Sequence, residues 1–304
     1  MTDLEEKLES EIREHESAAA ELRTMLADLR GTDTNPPEMP LPDFLAKKTE
    51  VRWLVGGLIG QGSLGFLVGD SHTGKTCLAV QLALHLSVGK AFVGWHVPQP
   101  SRCLYAFAEG ARELVRTRIE TAANTIGCGV PQDFWVQSES FRDFEIKRGG
   151  VARLIERTKP HFVILDTLER FSRHDENSAS EWKRDVLDPL SRLIHEYGCS
   201  IMLIHHSGKE SELRKGWQRA RGTSAMYADV DFWFRLEAEN GIIDNSRTLH
   251  VDKSKFGISG TASRLTFDKQ AAVMRWDLAS PDVPISTVKD VPALSVFDEQ
   301  EDEL

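Results

Sequence analysis

The sequence predicts an α/β fold in which a mostly parallel sheet is covered by helices and extended by antiparallel hairpins near the C-terminus. Continuous apolar segments alternate with helical segments from about residue 51 to residue 230, which is the pattern of a parallel sheet buried on both faces. A glycine-bearing turn joins the first of these strands to the first helix. Beyond Val230 the helical period fades and short strand-like segments follow, so antiparallel hairpins are expected there.

The individual elements follow from hydrophobic period and length. Apolar runs bounded by turn residues predict parallel strands at residues 63–68, 103–108, 161–165 and 201–204. Apolar positions at helical spacing predict helices at residues 75–88, 111–126, 151–157 and 182–197. Short segments bounded by tight turns predict antiparallel strands at residues 232–236, 248–252, 264–267 and 273–276.

The two ends of the chain differ from this body. Residues 1–30 repeat apolar side chains at intervals of three, four and seven, which predicts an amphipathic helix. This helix packs either on its own domain or on a neighbouring subunit, and the sequence leaves both possibilities open. Residues 31–46 are rich in proline and are expected to form a stiff linker to a domain at residues 47–280. Residues 281–304 are expected to be a disordered acidic tail.

The composition is that of a globular protein, with 304 residues of which 40% are apolar and 28% charged. The net charge of -10 comes from the ends, because residues 1–30 hold four basic and nine acidic side chains and residues 298–304 hold five acids and no base. Each end therefore carries a net charge of −5, and the body is neutral. A neutral body still allows local basic loops to contact phosphate groups.

Neither a membrane nor an oxidising compartment is expected. No run of 18 apolar residues occurs, so a transmembrane helix is excluded, and the acidic N-terminus does not resemble a signal peptide. The four cysteines lack the paired spacing of zinc clusters or disulfide frameworks. They are Cys77, Cys103, Cys128 and Cys199. We expect core thiols in a cytoplasmic protein.

Residues 69–76 read Gly-Asp-Ser-His-Thr-Gly-Lys-Thr and match the phosphate-loop pattern Gly-x-x-x-x-Gly-Lys-Ser/Thr. A buried strand precedes the match and a helix follows it, so backbone N–H groups and the helix N-terminus are available to bind phosphates. We expect Lys75 to contact the β- and γ-phosphates and the Thr76 hydroxyl to ligate Mg²⁺. The residues expected to line this ATP site are Gly69, Ser71, His72, Thr73, Gly74, Lys75, Thr76 and Cys77.

Polar residues follow three of the predicted parallel strands, where ligands of open α/β sheets bind. Asp166 ends an apolar strand and is expected to hold Mg²⁺ through water. Glu109 ends another and is expected to orient and deprotonate the attacking water. The alternative for either acid is a helix cap. His206 is expected to sense the γ-phosphate with His205 as its supporting partner, unless the two are simply a core pair.

These motifs, in this order, resemble those of the RecA-like ATPases, and within them the RepA-type hexameric replicative helicases of plasmids and phages. The likeness covers about residues 51–276. It is carried by the phosphate loop and by the segments Trp53-Leu54-Val55-Gly56-Gly57-Leu58-Ile59, Ala108-Glu109-Gly110, Leu165-Asp166-Thr167-Leu168, Asp175-Glu176-Asn177, His205-His206-Ser207-Gly208-Lys209 and Arg221-Gly222-Thr223-Ser224-Ala225.

The resemblance implies a hexameric ring with ATP at the subunit interfaces. Arg221 matches the family's candidate arginine finger, which would act on the nucleotide of the neighbouring subunit. Lys253 and Lys255 resemble a strand whose basic residues also reach across the interface. Each of the three has the alternative of being a solvated surface residue. The chain departs from larger relatives in lacking a recognisable primase, zinc module, separate N-terminal domain or winged helix.

A basic loop at residues 207–221 is the candidate for single-stranded DNA, because it carries a charge of +3 and one tryptophan. Basic side chains bind backbone phosphates, and an aromatic ring stacks on a base. The residues proposed to contact DNA are Lys209, Arg214, Lys215, Trp217 and Arg219. The alternative is a mobile surface loop without a ligand.

Three functions remain open at this point. The first is an ATP-dependent helicase or translocase on single-stranded DNA. The second is a RecA-like phage recombinase or strand-annealing protein that binds ATP and DNA without unwinding, and the third is an ATPase switch with no role on DNA. The segment at residues 292–297 resembles short peptides that bind bacterial sliding clamps, which adds a possible partner.

Overall fold

The structure is a computed structural model and describes residues 40–46, 51–108, 110–137, 145–146, 149–172, 178–206, 224–238, 240–256 and 259–276. The chain divides into two units, residues 1–50 and 51–304. In the first unit, a short exposed helix, α1 (Leu41–Ala46), lies within the segment interpreted from sequence as a linker. The helix predicted at residues 1–30 and the tail predicted at 281–304 lie outside the described residues.

The second unit is built on a nine-stranded sheet with the order β11-β10-β9-β8-β3-β7-β6-β4-β5. The strands of its parallel part are β3 (Leu64–Gly69), β4 (Cys103–Phe107), β5 (Phe134–Val136), β6 (Phe162–Asp166), β7 (Ser200–His206) and β8 (Phe232–Glu237). The antiparallel extension continues from β8 through β9 (Ser246–Ser254), β10 (Thr261–Asp268) and β11 (Val273–Trp276). A separate hairpin pairs β1 (Trp53–Val55) with β2 (Ile59–Gly60). The predicted parallel sheet with C-terminal antiparallel hairpins is therefore confirmed.

The helices connect the strands and cover the sheet. They are α2 (Lys75–Val88), α3 (Arg112–Ile126), α4 (Gly150–Thr158), α5 (Leu168–Phe171), α6 (Ala179–Trp182), a π-helical turn (Lys183–Leu187), α7 (Asp188–Tyr197) and α8 (Ser224–Asp229). No helix in the described part of the chain combines the length and the apolar character that a membrane crossing requires.

Two hydrophobic clusters hold the helices to the sheet, one on each face. Successive strand residues point to opposite faces, so Ile164 belongs to the cluster containing α2 while Leu165 belongs to the cluster containing α4 and α7. Helix α2 is buried along most of its length, because it packs against α3, β4 and β11. This central burial fixes the N-terminus of α2 against the end of β3.

The differences from the predicted elements have local causes. The region predicted as one helix at residues 182–197 contains the π-helical turn just before Pro189. Proline lacks the N–H that would bond the carbonyl of Asp185, and its ring crowds that carbonyl. The three-residue strand β5 has no detectable period, and its Trp135 is half exposed at the sheet edge, so sequence patterns missed it.

Candidate nucleotide-binding site

The phosphate loop lies between β3 and α2 and requires glycine at both ends. A Cβ atom on Gly69 would overlap the carbonyl oxygen of Leu236 at the end of β8. Gly74 has a φ of 103°, and its Cβ would lie 2.5 Å from the Met274 Cε atom. The loop therefore packs closely against the end of β8 and against β11 of the antiparallel extension.

Lys75 is buried at the first turn of α2, with 5% of its surface exposed. Its Nζ donates hydrogen bonds to the carbonyl oxygens of Gly69 at 2.8 Å and Asp70 at 2.7 Å. The His206 Nδ1 atom lies 3.3 Å from the same ammonium. The positive charge is thereby held inside the loop, where phosphate oxygens of a nucleotide bind.

Thr76 and Asp166 meet at the end of β6. Thr76 Oγ1 donates a hydrogen bond to Asp166 Oδ2 at 2.8 Å. Since a hydroxyl has one proton and two lone pairs, this bond leaves oxygen lone pairs of Thr76 able to ligate a cation. A hydroxyl next to a carboxylate at a phosphate loop is the hard oxygen donor set that suits Mg²⁺, so the residues present fit this ion.

Tyr105 is a third member of this cluster, and sequence reasoning missed it. Its hydroxyl donates to Asp166 Oδ2 at 2.7 Å from inside the sheet. Burial raises the pKa of Tyr105 well above its usual value, and the neighbouring Asp166 charge raises it further. The phenol consequently remains a proton donor over the accessible pH range. The positive charge of Arg118 on α3 opposes the rise in pKa at both Tyr105 and Cys77. The Arg118 guanidinium therefore acts on groups near the first turn of α2.

The two histidines at the end of β7 face opposite sides of the sheet. His206 pairs in register with Gly69, and its Nδ1 lies 3.5 Å from Ser71 Oγ, which brings the ring to the phosphate loop. His205 is fully buried on the other face, edge-on to the ring of Trp182. Because adjacent strand residues point in opposite directions, the His205 ring lies on the face of β7 opposite to that of the His206 ring. The predicted role of His205 as the supporting partner of His206 stays a prediction.

Arg247 at the start of β9 supports the phosphate loop, and no sequence pattern marked it. It is 1% exposed, and its Nε donates to the carbonyl oxygen of Thr73 at 2.8 Å. Its Nη1 donates to the carbonyl oxygens of Asp244 and Ser246, both at 2.7 Å, and its guanidinium lies over the Phe267 ring. One buried side chain thus joins the phosphate loop to the β8–β9 connection.

Lys253 and Lys255 lie level with the start of β3, at the end of the strands opposite to the phosphate loop. Lys253 pairs with Trp233, which pairs with Phe66 near the start of β3 and not with the phosphate-loop end. Lys253 Nζ donates to the carbonyl oxygens of Tyr227 and Ala228, at 2.6 Å and 2.9 Å. Lys255 Nζ lies 2.9 Å from an oxygen of Asp231. Within one chain these lysines are therefore separated from the phosphate loop.

Several predicted residues lie outside the described part of the chain. They are Glu109, Arg221, Lys209, Arg214, Lys215, Trp217 and Arg219. The predicted residues that the structure does bring together are Lys75, Thr76, Asp166 and His206, around the loop at residues 69–74.

The chain is similar to a known protein family and to several solved structures. A family model described as an AAA domain matches residues 33–212. A DnaB-like replicative helicase has 12% identity and a TM-score of 0.57 over 84% of this chain and 71% of its own. A KaiC-like protein from the archaeon Pyrococcus horikoshii OT3 has 12% identity and a TM-score of 0.52 over 74% of this chain and 93% of its own.

The RadB recombinase has 18% identity and a TM-score of 0.49, covering 69% of this chain and 90% of its own. No curated protein matches the sequence. At these identities the solved structures bear on the fold, and they agree with the RecA-like fold predicted from the order of the motifs.

Proposed function

The chain belongs to the AAA domain family, and from this premise we propose that it hydrolyses ATP with Mg²⁺ and thereby moves along single-stranded DNA. The observation that carries the ATPase part is the hydrogen bond between Thr76 Oγ1 and Asp166 Oδ2 at 2.8 Å. It joins the end of the phosphate loop to the acid that ends β6. Phosphate-binding groups and metal-binding oxygens therefore converge at one edge of the sheet.

Thr76 would hold the Mg²⁺ ion through its hydroxyl oxygen and Asp166 through a water molecule. Held by these two residues, Mg²⁺ would supply positive charge that offsets the negative charge developing on the phosphate groups. Lys75 adds a second positive charge from within the loop, where its ammonium is buried. Groups fixed in advance at developing charge lower the barrier because they need no reorganisation during the reaction.

We assign proton transfer to Glu109, which would accept the proton of the water that attacks the γ-phosphorus while ADP leaves with the electrons of the broken bond. His206 would respond to the γ-phosphate, because its ring already contacts the Lys75 ammonium at 3.3 Å. Arg221 would reach the nucleotide of a neighbouring subunit in a ring. These roles follow from the sequence motifs and from the position of β7 beside the phosphate loop.

The DNA part rests on the basic loop at residues 207–221, with its charge of +3 and its tryptophan. A DnaB-like replicative helicase shares the fold, which is consistent with this assignment. A KaiC-like protein shares it too, so the basic loop and not the fold distinguishes a DNA motor from an ATPase switch. We propose the RepA-type arrangement, a hexameric ring with residues 1–30 at the subunit contacts and the ATPase domain at 47–280.

Strand displacement on a forked duplex tests the proposal, with Lys75→Ala as the control that lacks the phosphate-loop ammonium. ATP-dependent displacement by the native protein, absent in the variant, is expected. Simultaneous reversal of Arg214, Lys215 and Arg219 to glutamate should abolish stimulation of the ATPase by DNA while basal hydrolysis remains. Unchanged stimulation would remove the DNA assignment and favour the switch.

Electron microscopy with a non-hydrolysable ATP analogue and single-stranded DNA separates the helicase from a recombinase or annealing protein. Closed rings are expected for the helicase. Helical filaments, together with annealing of complementary strands and no unwinding, would replace it by the second function. Binding of the peptide at residues 292–297 to a sliding clamp is a separate proposal, tested by deleting residues 281–304.

A further inference from the structure

Tyr105 and Asp166 lie on neighbouring parallel strands and on the same face of the sheet. Phe107 of β4 is in register with Asp166 of β6, and Tyr105 is in register with Ile164, two residues earlier. Two strand residues advance the chain by about 6.6 Å, and the long phenol side chain spans this step. Its hydroxyl ends 2.7 Å from Asp166 Oδ2.

Asp166 Oδ2 therefore accepts two hydrogen bonds, one from Tyr105 and one from Thr76 at 2.8 Å. Tyr105 and Asp166 are only 1% and 4% exposed, so water does not readily replace a missing donor. The Phe107 ring stacks on the Tyr105 ring with centroids 5.9 Å apart, which limits the swing of the phenol. The orientation of the carboxylate is consequently held in part by a side chain buried inside the sheet.

We propose that Tyr105 is a positioning residue for the divalent cation, holding the Asp166 carboxylate in the orientation in which it and Thr76 take up Mg²⁺ with the nucleotide. The proposal rests on the proposed Mg²⁺–ATP site. Groups that hydrogen-bond a metal-binding carboxylate tune metal affinity even though they do not touch the ion. A purely structural tyrosine in this place would contribute to folding and leave metal affinity unchanged.

Tyr105→Phe in the full-length protein removes the hydroxyl and keeps the ring. The measurement is the affinity for a fluorescent ATP analogue, titrated at increasing free Mg²⁺ and repeated in EDTA. We expect the Mg²⁺ concentration for half-maximal tightening to rise about 10-fold, while affinity in EDTA stays as in the native protein. Tyr197→Phe is the matched control, because Tyr197 ends α7 three residues before the start of β7, whereas the phosphate loop lies beside the other end of β7.

A double-mutant cycle with Asp166→Asn shows whether Tyr105 acts through the carboxylate. In the Asp166→Asn background, Tyr105→Phe should cause no further change in Mg²⁺ dependence. An equal loss of affinity with and without Mg²⁺, or an unchanged Mg²⁺ midpoint, would overturn the proposal. A native protein that binds the analogue with Mg²⁺ but displaces no DNA strand would end the helicase assignment and leave this inference intact, whereas a native protein that binds no nucleotide would end both.

Discussion

The Nε atom of Arg247 donates a hydrogen bond to the carbonyl oxygen of Thr73 across 2.8 Å, and this bond ties the phosphate loop to the antiparallel part of the sheet. In a planar trans peptide the C=O and N–H groups point in opposite directions, so the bond to the Thr73 carbonyl directs the Gly74 N–H away from Arg247. A donor behind the loop therefore favours the ligand-binding conformation. Because the same guanidinium also bonds the carbonyl of Asp244, the β8–β9 connection and the loop are held together.

Replacing Arg247 by methionine should weaken both folding and nucleotide binding. Buried carbonyl oxygens would lose their donor, which costs about 1–3 kcal/mol for each unsatisfied group. Urea unfolding gives the stability, and titration with a fluorescent ATP analogue gives the affinity. The exposed Arg264 on β10 supplies the control substitution Arg264→Met. Lower stability with unchanged nucleotide affinity would mean that Arg247 supports only the fold.

Two glycines, Gly62 in the turn before β3 and Gly74 at the end of the phosphate loop, allow backbone strain to be separated from steric overlap. Gly62 and Gly74 both have positive φ, but only Gly74 would place a new Cβ against Met274, whereas Gly62 has open space. Gly62→Ala should cost about 1 kcal/mol, because a left-handed backbone disfavours alanine. Gly74→Ala should cost clearly more and should also weaken ATP binding.

Thermal unfolding and nucleotide titration of the two glycine variants provide the comparison. Equal losses of stability in the Gly62→Ala and Gly74→Ala variants would show that the phosphate loop accommodates the new Cβ atom at no additional cost in free energy. In that case the packing of Met274 against the loop would not restrict its conformation.

The contacts of Glu237 at the end of β8 make the stability of the protein depend on pH. A contact with His250 lowers the pKa of Glu237 to about 2, and Arg235 lowers it as well. A carboxylate whose pKa is lower in the folded state stabilises the protein above its unfolded pKa, and this contribution is lost as the pH falls. Stability should therefore decline between pH 4.5 and about pH 2.

Glu237→Gln should remove part of that decline, because the amide does not titrate. The variant should be less stable than the native protein by about 2 kcal/mol at pH 7, with the difference shrinking toward pH 2. Urea unfolding measured across this range tests the claim. Parallel pH profiles for both proteins would show that Glu237 contributes nothing to acid sensitivity.

The sequence predicted those parts of the site that follow parallel strands, because the carboxyl ends of parallel strands meet at one edge of the sheet. Asp166 and His206 follow apolar strands, and the loop before Lys75 has a distinctive spacing, so their meeting was foreseeable. Tyr105 lies inside an apolar strand and reads as a core aromatic. Arg247 opens an antiparallel strand and reads as a surface residue. Their partners lie 61 and 174 positions away, so only the folded chain reveals their roles.

The position of Lys253 and Lys255 yields a test of catalysis shared between subunits. Both lysines lie at the sheet edge away from their own phosphate loop, held by the carbonyl of Tyr227 and by Asp231. If they act on the nucleotide of the next subunit, the variant Lys253→Met/Lys255→Met and the variant Lys75→Ala are each inactive alone. Mixing the two variants should restore activity. A site is complete where the intact phosphate loop of the double lysine variant meets the intact lysines of the Lys75→Ala variant.

Random assembly of equal amounts makes about one site in four complete in a heterologous ring, so about a quarter of the native ATPase rate is expected. The rate must depend on mixing the subunits before nucleotide is added, because exchange creates the complete sites. A mixture no more active than its components would show that the lysines do not serve a neighbour's site. Full activity of the double lysine variant by itself would show that their hydrogen bonds to α8 and Asp231 are structural.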